Sequence, residues 1–395
     1  MNRYSESTVR RAKSSLKRWM NAVADAVRAP IRSPTVLLVT GDAGRGKVRE
    51  IDVRLRHLLD HFPGEVGTRS VRRAVPMDYV RYSGVVTADS AAVPPWVRKL
   101  RWFADLDYDA NPADGMALMD FGTALRGGVH EQIVTSHRIF VRHVEQLKVG
   151  GNRPVYLFGT GPSLQLAANR SFSDGIVVVC NTVVRDAELW HHLNPNFLAA
   201  GDAIYHFGHT PHARAFRADA LRRLVESEGR TLFVYPLQFD VIVRPEFREV
   251  ESLLVPIPWG GHSDITVDLT ERFRLPGVGN VLNVLLLPLG CTLSSDVRLW
   301  GFDGRAPSDS GFWANSDRHS YPELMQSIRD AHPAFFASMT PVGNEIQYVN
   351  EVHGDWLDDR LSKAEERGIS FQMLHRSWTP TLQKRYQGPI SERID

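Results

Sequence analysis

The sequence predicts an α/β protein built on a mainly parallel, doubly wound, Rossmann-like sheet, with an N-terminal α/β or helical extension. Three observations carry that expectation. From residue 153 onward, short apolar runs rich in β-branched and aromatic residues alternate with stretches of helical length, which is the rhythm of βαβ units. The first of these runs, VYLF at 155–158, ends in the glycine turn GTG and the helix opening PSL. Later runs end at Asn181, Gly201 and Gly301, which gathers turn-forming residues at the carboxyl ends of strands, where parallel sheets hold their ligands.

The chain has 395 residues, enough for two domains or for one large domain with an extension. With 43% hydrophobic and 23% charged residues it can bury a sizeable core. The net charge of +2 is neutral evidence on nucleic acid over the whole chain, and no nucleic-acid partner is expected. Cys180 and Cys291 lie beside apolar runs and have no metal-ligand spacing, so they read as buried free thiols in a reducing compartment. No apolar segment approaches a membrane span and no secretory leader is evident, which predicts a cytoplasmic protein.

Residues 1–33 stand apart. Arg10, Arg11, Lys13, Lys17, Arg18 and Arg28 outnumber Glu6 and Asp25, while Val9, Ala12, Leu16, Trp19, Met20, Val23 and Val27 recur at helical spacing. This is a basic amphipathic helix, ended by Pro30 and Pro34. Its residues 8–28 suit an anionic surface at the inner face of the membrane. Packing on its own domain or on a partner is the equal alternative.

Residues 34–150 read as an α/β and helical region. TVLLVT at 35–40 is a strand running into GDAGRGKV. Residues 41–47 have phosphate-loop spacing, but Val48 stands where a magnesium-binding Ser or Thr is required. An ordinary strand-to-helix turn is therefore preferred. The apolar run at 79–87 would complete a small α/β layer, and 92–95 reads as a linker. Residues 96–147 look mostly helical around a polar middle, FADLDYDA. Asp105, Asp107 and Asp109 there are the oxygen ligands that hard divalent ions take. A solvated turn explains them more simply, and no metal is expected.

Residues 151–380 carry the regular pattern. Strand 155–158 leads to helix 162–169 and strand 176–180, and helix 186–192 leads to strand 197–200. Helix 212–228 then leads to strand 231–235. After a less regular stretch come helix 279–289 with strand 297–301, and helix 356–367 with strand 369–374. Residues 381–395 read as a tail.

The chemistry is expected along one sheet edge. Gly159, Thr160, Gly161, Pro162 and Ser163 offer amides and hydroxyls to a phosphate, with Ser163 able to cap the helix. Asn181 offers a two-way amide to a base or sugar. Gly279 and Asn280, in LPGVGN, open a second anion-friendly helix. Asp303 is placed to bond sugar hydroxyls and Arg305 to neutralise a leaving phosphate. Of the histidines, His319 follows Trp313 in a polar loop, and His332 reads as a packing element before Pro333. His353 stands just before the last helix, where it could take a proton from an attacking hydroxyl.

In the order of these motifs, about 153–377 resembles the bacterial sialyltransferases of lipooligosaccharide and capsule synthesis, with their relatives that share a Gly-x-Gly-Pro-Ser-Leu opening. FGTGPSL, the Cys180-Asn181 pair, Asn194-Pro195, NVLNVLLLPLG, VRLWGFD, His353 and ERGISFQML follow in order. The resemblance implies a single nucleotide-binding α/β domain with a lid that uses a CMP-activated sugar without a metal. It implies that Gly159 to Ser163 hold the nucleotide, that Asn181 contacts nucleotide or sugar, and that His353 is the general base. Thr160 replaces the family's asparagine, Gly277-Val278 replaces its Ser/Thr, and the tyrosines that support the leaving phosphate are missing. Arg305, with Trp313 or Tyr321, could substitute.

The expectation is thus an inverting glycosyltransferase of surface polysaccharide or glycolipid synthesis. It would take a nucleotide sugar and a glycan or glycolipid acceptor, use no cofactor, and sit on sites that also include Trp313, His319 and Tyr321 for sugar or acceptor. A homo-oligomer is compatible. The alternatives are a pyrophosphokinase acting on a small heterocycle, or a catalytically inactive membrane-associated interaction protein of the same fold.

Overall fold

A computed structural model describes residues 33–277, 280–304, 316, 319–339 and 355–388. The basic helix expected at 1–33 lies outside the described residues, apart from Ser33 at the start of the first strand. The described residues divide into two compact units. One runs to Gly127 and takes in His332–Phe335; the other starts at Gly128 and holds the rest.

The first unit contains a four-stranded, wholly parallel sheet in the order β2-β1-β3-β4, formed by β1 (Ser33–Val39), β2 (Gly67–Val71), β3 (Tyr82–Thr87) and β4 (Phe103–Asp105). Val36 to Val39, Val85 and Val86 are fully shielded from solvent, as strands covered on both faces must be. GDAGRGK joins β1 to the helix Arg45–Leu59, so the strand-to-turn-to-helix reading holds. The expectation that 96–147 is mostly helical holds in the helices Asp114–Arg126 and Val129–Lys148, and its polar middle is entered by β4, which runs directly into the aspartates. Its three residues are too short to show a period against the flanking turns. Beneath the helices, the buried Arg54 guanidinium bonds Asp114 Oδ2 at 2.5 Å, and His332 Nδ1 lies 2.8 Å from the same oxygen. His332 is thus a packing element of this unit.

The boundary falls at Gly127 and Gly128 rather than near residue 150. Both glycines have positive φ, 64° and 66°, which interrupts a run that otherwise reads as continuous helix. The helix Val129–Lys148 beyond them belongs to the second unit, with Phe140 set 6.1 Å from Phe197.

Among the described residues, the second unit has a seven-stranded parallel sheet in the order β11-β10-β5-β6-β7-β8-β9. The strands are β5 (Val155–Phe158), β6 (Ile176–Cys180), β7 (Phe197–Ala199), β8 (Leu232–Pro236), β9 (Leu254–Ile257), β10 (Asp296–Trp300) and β11 (Ser370–Met373). From β5 the chain winds one way to β9, then returns to lay β10 on the other side of β5, with Val155 opposite both Ile176 and Val297. That reversal between β5 and β10 is the topological switch point, where doubly wound sheets open a crevice. The core is the continuous apolar content of these strands; β5, β6 and β8 are buried throughout.

Three details depart from the sequence reading. β9 lies in the stretch read as irregular, because Pro256 and Pro258 break its apolar run. An edge strand tolerates proline, and β9 is the edge. The expected helix 279–289 is a π-helical turn, Leu282–Leu286, continued by an α-helix, Leu287–Leu293. Pro288 has no N–H to give the carbonyl one turn back, and the helix winds wide just ahead of it. The expected tail at 381–395 is in part domain: Pro380–Gln383 is helical, Arg385 pairs with Glu365 at 2.6 Å, and Met373 bridges to Tyr386.

Candidate functional site

The carboxyl edge at the switch point is built by four strand ends. β5 delivers Gly159 to Ser163, β10 delivers Gly301 to Gly304, β11 delivers His375 to Thr379, and β6 delivers Asn181. The first three meet. Gly159 N donates to Trp300 O at 2.8 Å, and Gly161 N donates to Gly301 O at 2.9 Å. A Cβ on Gly161 would stand 2.1 Å from Asp303 Oδ2, and one on Gly301 would stand 2.4 Å from Gly159 O. Gly301 also has φ +78°. The glycines therefore serve a close approach of two backbones, and the Gly159 and Gly161 amides expected to cradle a phosphate are bonded to the neighbouring strand's end.

Asp303 fills the next position. Its carboxylate accepts from Ser163 N at 3.2 Å and from Ser163 Oγ at 2.9 Å. Gly161, the N-cap of the 3-10 helix Pro162–Asn169, has no side chain to satisfy those first amides. Asp303 does so from across the sheet, placing a negative charge at a helix N-terminus. The expected role of Ser163 is corrected: it is not the cap but the group being held, and Asp303 is what holds it.

His375, which the sequence reading did not weigh, completes this arrangement. Gly301 N donates to its Nε2 at 2.8 Å, and its Nδ1 lies 2.7 Å from Arg376 O. The amide proton from Gly301 fixes Nε2 as an acceptor, so Nδ1 carries the proton and the ring is neutral. Ser163 Oγ sits 2.8 Å from the same Nε2. Burial pushes the imidazole pKa down, against a smaller upward pull from Asp303. Trp300 Nε1 closes the group by donating to Ser163 O at 2.8 Å. The signal available in the sequence was position alone, since MLHRSW follows the last strand directly.

Asn181 differs from these satisfied groups. It is the first residue past β6, has φ +50°, and its buried Oδ1 accepts no hydrogen bond among the described residues. Asparagine tolerates the left-handed backbone better than most residues, so the feature that points to a ligand is the idle buried acceptor at a strand end. Thr160 O accepts from Ser316 N at 3.1 Å, and Ser316 O accepts from His319 N at 3.1 Å.

His319 and Tyr321 lie inside the protein rather than on the edge. The His319 ring is fully shielded, with Nδ1 3.9 Å from Asp186 Oδ2. The Tyr321 hydroxyl donates to Asp219 Oδ2 at 2.6 Å, beneath the Arg185 guanidinium 4.7 Å from its ring centre. Burial and the Asp219 bond push that phenol pKa up. Neither has the exposure expected of a sugar or acceptor ligand. Asn280 also has a local duty, since its Oδ1 accepts from Asn283 N at 3.3 Å at the start of the π-helical turn. Gly277 lies close against the backbone of Gly260, where a Cβ would stand 3.1 Å from the Gly260 Cα. His353, Arg305, Trp313 and Gly279 lie outside the described residues.

In the first unit, the three aspartates are occupied by protein groups. Lys47 bonds Asp107 and pairs with Asp109 at 3.0 Å, while Asp105 accepts the Ser90 hydroxyl at 2.5 Å. Among the described residues no group of three His, Cys, Asp or Glu side chains is arranged to hold a metal. No described helix is long and apolar enough to cross a membrane.

No protein-family model matches the chain, and no curated protein or solved structure matches it either.

Proposed function

We propose that the protein is a glycosyltransferase that takes a nucleotide-activated sugar, with a CMP-sialic-acid-like donor favoured, at the carboxyl edge of the seven-stranded sheet. The observation that carries the reading is Asn181. It combines a left-handed backbone with an idle buried amide oxygen, one strand from the switch point, where doubly wound sheets bind their ligands. The order of motifs around it supports the nucleotide-sugar class.

In this reading the bonded set Gly159, Gly161, Ser163, Asp303 and His375 is the rigid floor of the site, and Asn181 is a contact to the donor. An acceptor hydroxyl attacks the anomeric carbon as the bond to the donor phosphate breaks, with inversion. His353 takes the hydroxyl proton and Arg305 offsets the charge on the departing phosphate. No metal is used. The acceptor is a glycan or glycolipid, and the basic residues 8–28 bring the enzyme to an anionic membrane surface on the cytoplasmic side.

Thermal shift across cytidine, uridine and adenosine nucleotides and CMP-sugars tests the reading. Stabilisation by cytidine nucleotides that is lost in Asn181→Gly supports it. Absence of any nucleotide-dependent shift overturns the function, and full transfer activity in His353→Ala overturns the mechanism.

A further inference from the structure

The segment after β11 crosses the end of β10 as a strap whose residues alternate in burial. His375, Ser377 and Thr379 are buried, while Arg376, Trp378 and Pro380 face outward. Each inward residue is fastened to the loop after β10. His375 Nε2 accepts from Gly301 N at 2.8 Å, and Ser377 Oγ donates to Phe302 O at 2.7 Å. Thr379 packs so closely on Gly304 that a Cβ there would stand 2.6 Å from its hydroxyl. Trp378 N itself donates to Asp303 O at 2.6 Å. A tryptophan with its backbone clamped on both sides nevertheless leaves 60% of its surface in solvent.

Exposed apolar residues are common when scattered singly. Trp378 is set apart by its place, on the carboxyl edge beside the switch point, and by the clamping of its backbone, which removes the loop-ordering part of the cost of binding to it. A large, exposed indole is a group that stacks on the apolar C–H face of a sugar ring. Asp303, to which it is bonded, extends β10, whereas Asn181 ends β6, and β5 lies between them. Two strand spacings are about 10 Å, so one ring does not touch both groups, whereas a donor and an acceptor bound side by side do.

We propose that Trp378 is the stacking platform for a pyranose ring of the acceptor, which makes the acceptor a glycan engaged through its sugar. This rests on the glycosyltransferase reading above, with Asn181 on the donor side.

Saturation-transfer NMR on the full chain, with cellobiose, maltose, lactose and chitobiose as probes at millimolar concentration, tests the proposal. The wild type is expected to bind at least one probe. Trp378→Ala should weaken that binding about tenfold or more, and Trp378→Tyr should restore part of it. Thermal stabilisation by cytidine nucleotides should be unchanged in both variants, which also reports that they fold. Undiminished probe binding in Trp378→Ala overturns the proposal, as does a wild type that is stabilised by nucleotide but binds none of the probes. If no nucleotide binds, the donor reading fails. Probe binding that depends on Trp378 then still stands as carbohydrate binding, and its absence overturns this proposal as well.

Discussion

The Asp303 carboxylate accepts the Ser163 hydroxyl at 2.9 Å across 140 positions of sequence. That bond fastens the end of β10 to the helix that follows β5, at the place where the sheet reverses its winding.

Removing it should be costly, because it leaves the Ser163 amide and hydroxyl without their charged acceptor. Asp303→Ala is expected to lower stability by about 1.5–3 kcal/mol, and Ser163→Ala by about 1 kcal/mol. Urea denaturation of the two single variants and the double variant measures both values and their coupling. A double variant equal to the sum of the singles would mean that the pair does not interact.

The glycines on this edge should respond very differently from those of the GDAGRGK turn. Gly161→Ala forces a Cβ against Asp303 and the Gly301 carbonyl and should cost at least about 1–3 kcal/mol. Gly44 and Gly46 face open space, so alanine meets no clash at either: Gly46→Ala, inside the helix Arg45–Leu59, should raise stability by about 0.5–1 kcal/mol, and Gly44→Ala, at its N-cap, should cost no more than about 1 kcal/mol. Melting temperatures of the three variants check the contrast.

Stability should fall on acidification. His143, His206, His212 and His375 all have their pKa lowered by burial. Below an unfolded-state pKa of about 6.5 the unfolded chain takes up protons that the folded chain refuses. The melting temperature is therefore expected to be flat above that pH and to drop below it. Gln at position 375 can still accept from Gly301 N but does not titrate, so His375→Gln should show a shallower drop. An unchanged slope would remove His375 from the account.

At Asn181 the strain and the ligand contact should separate. Asn181→Gly relieves the left-handed backbone and removes an idle buried acceptor, so stability should hold or rise by up to about 1 kcal/mol. Nucleotide-dependent stabilisation should vanish at the same time. Calorimetry with and without cytidine nucleotides reads both effects.

In the first unit, Asp114 is the shared partner of buried Arg54 and His332. Asp114→Ala leaves the guanidinium buried without that partner and should cost about 3–5 kcal/mol. Circular dichroism melts report it; a loss under about 1 kcal/mol would contradict the buried pairing.

Much of the fold could be read from residues alone because parallel strands covered on both faces are short unbroken apolar runs. VYLF and IVVVC become β5 and β6 with the boundaries their composition suggests. The β9 segment LVPI escaped because proline is legible as a breaker and edge position is not. The boundary at Gly127 and Gly128 escaped because two glycines between helical stretches look the same whether the helices share a unit or not. In the site, the convergence of Gly159, Asn181 and Gly301 on one edge was legible from strand ends. The partners of those residues were not. That Asp303 binds Ser163, and that His375 receives the Gly301 amide, depends on strand order, and no local pattern encodes which strand end lies beside which.

The place of β10 in the sheet has a consequence for how the chain matures. β5 is a central strand, yet one of its two neighbours is made about 140 residues later, as the contact between Arg298 and Tyr156 records. During synthesis the strands β5 to β9 can pair in sequence, while the far side of β5 stays an open apolar edge until β10 arrives. A nascent chain halted before that point carries the unpaired edge most prone to self-association. The same late strand brings Gly301 and Asp303, so the glycine turn after β5 is fixed only when the sheet is whole. The site is thereby a mark of completed folding, and a truncated chain cannot present it.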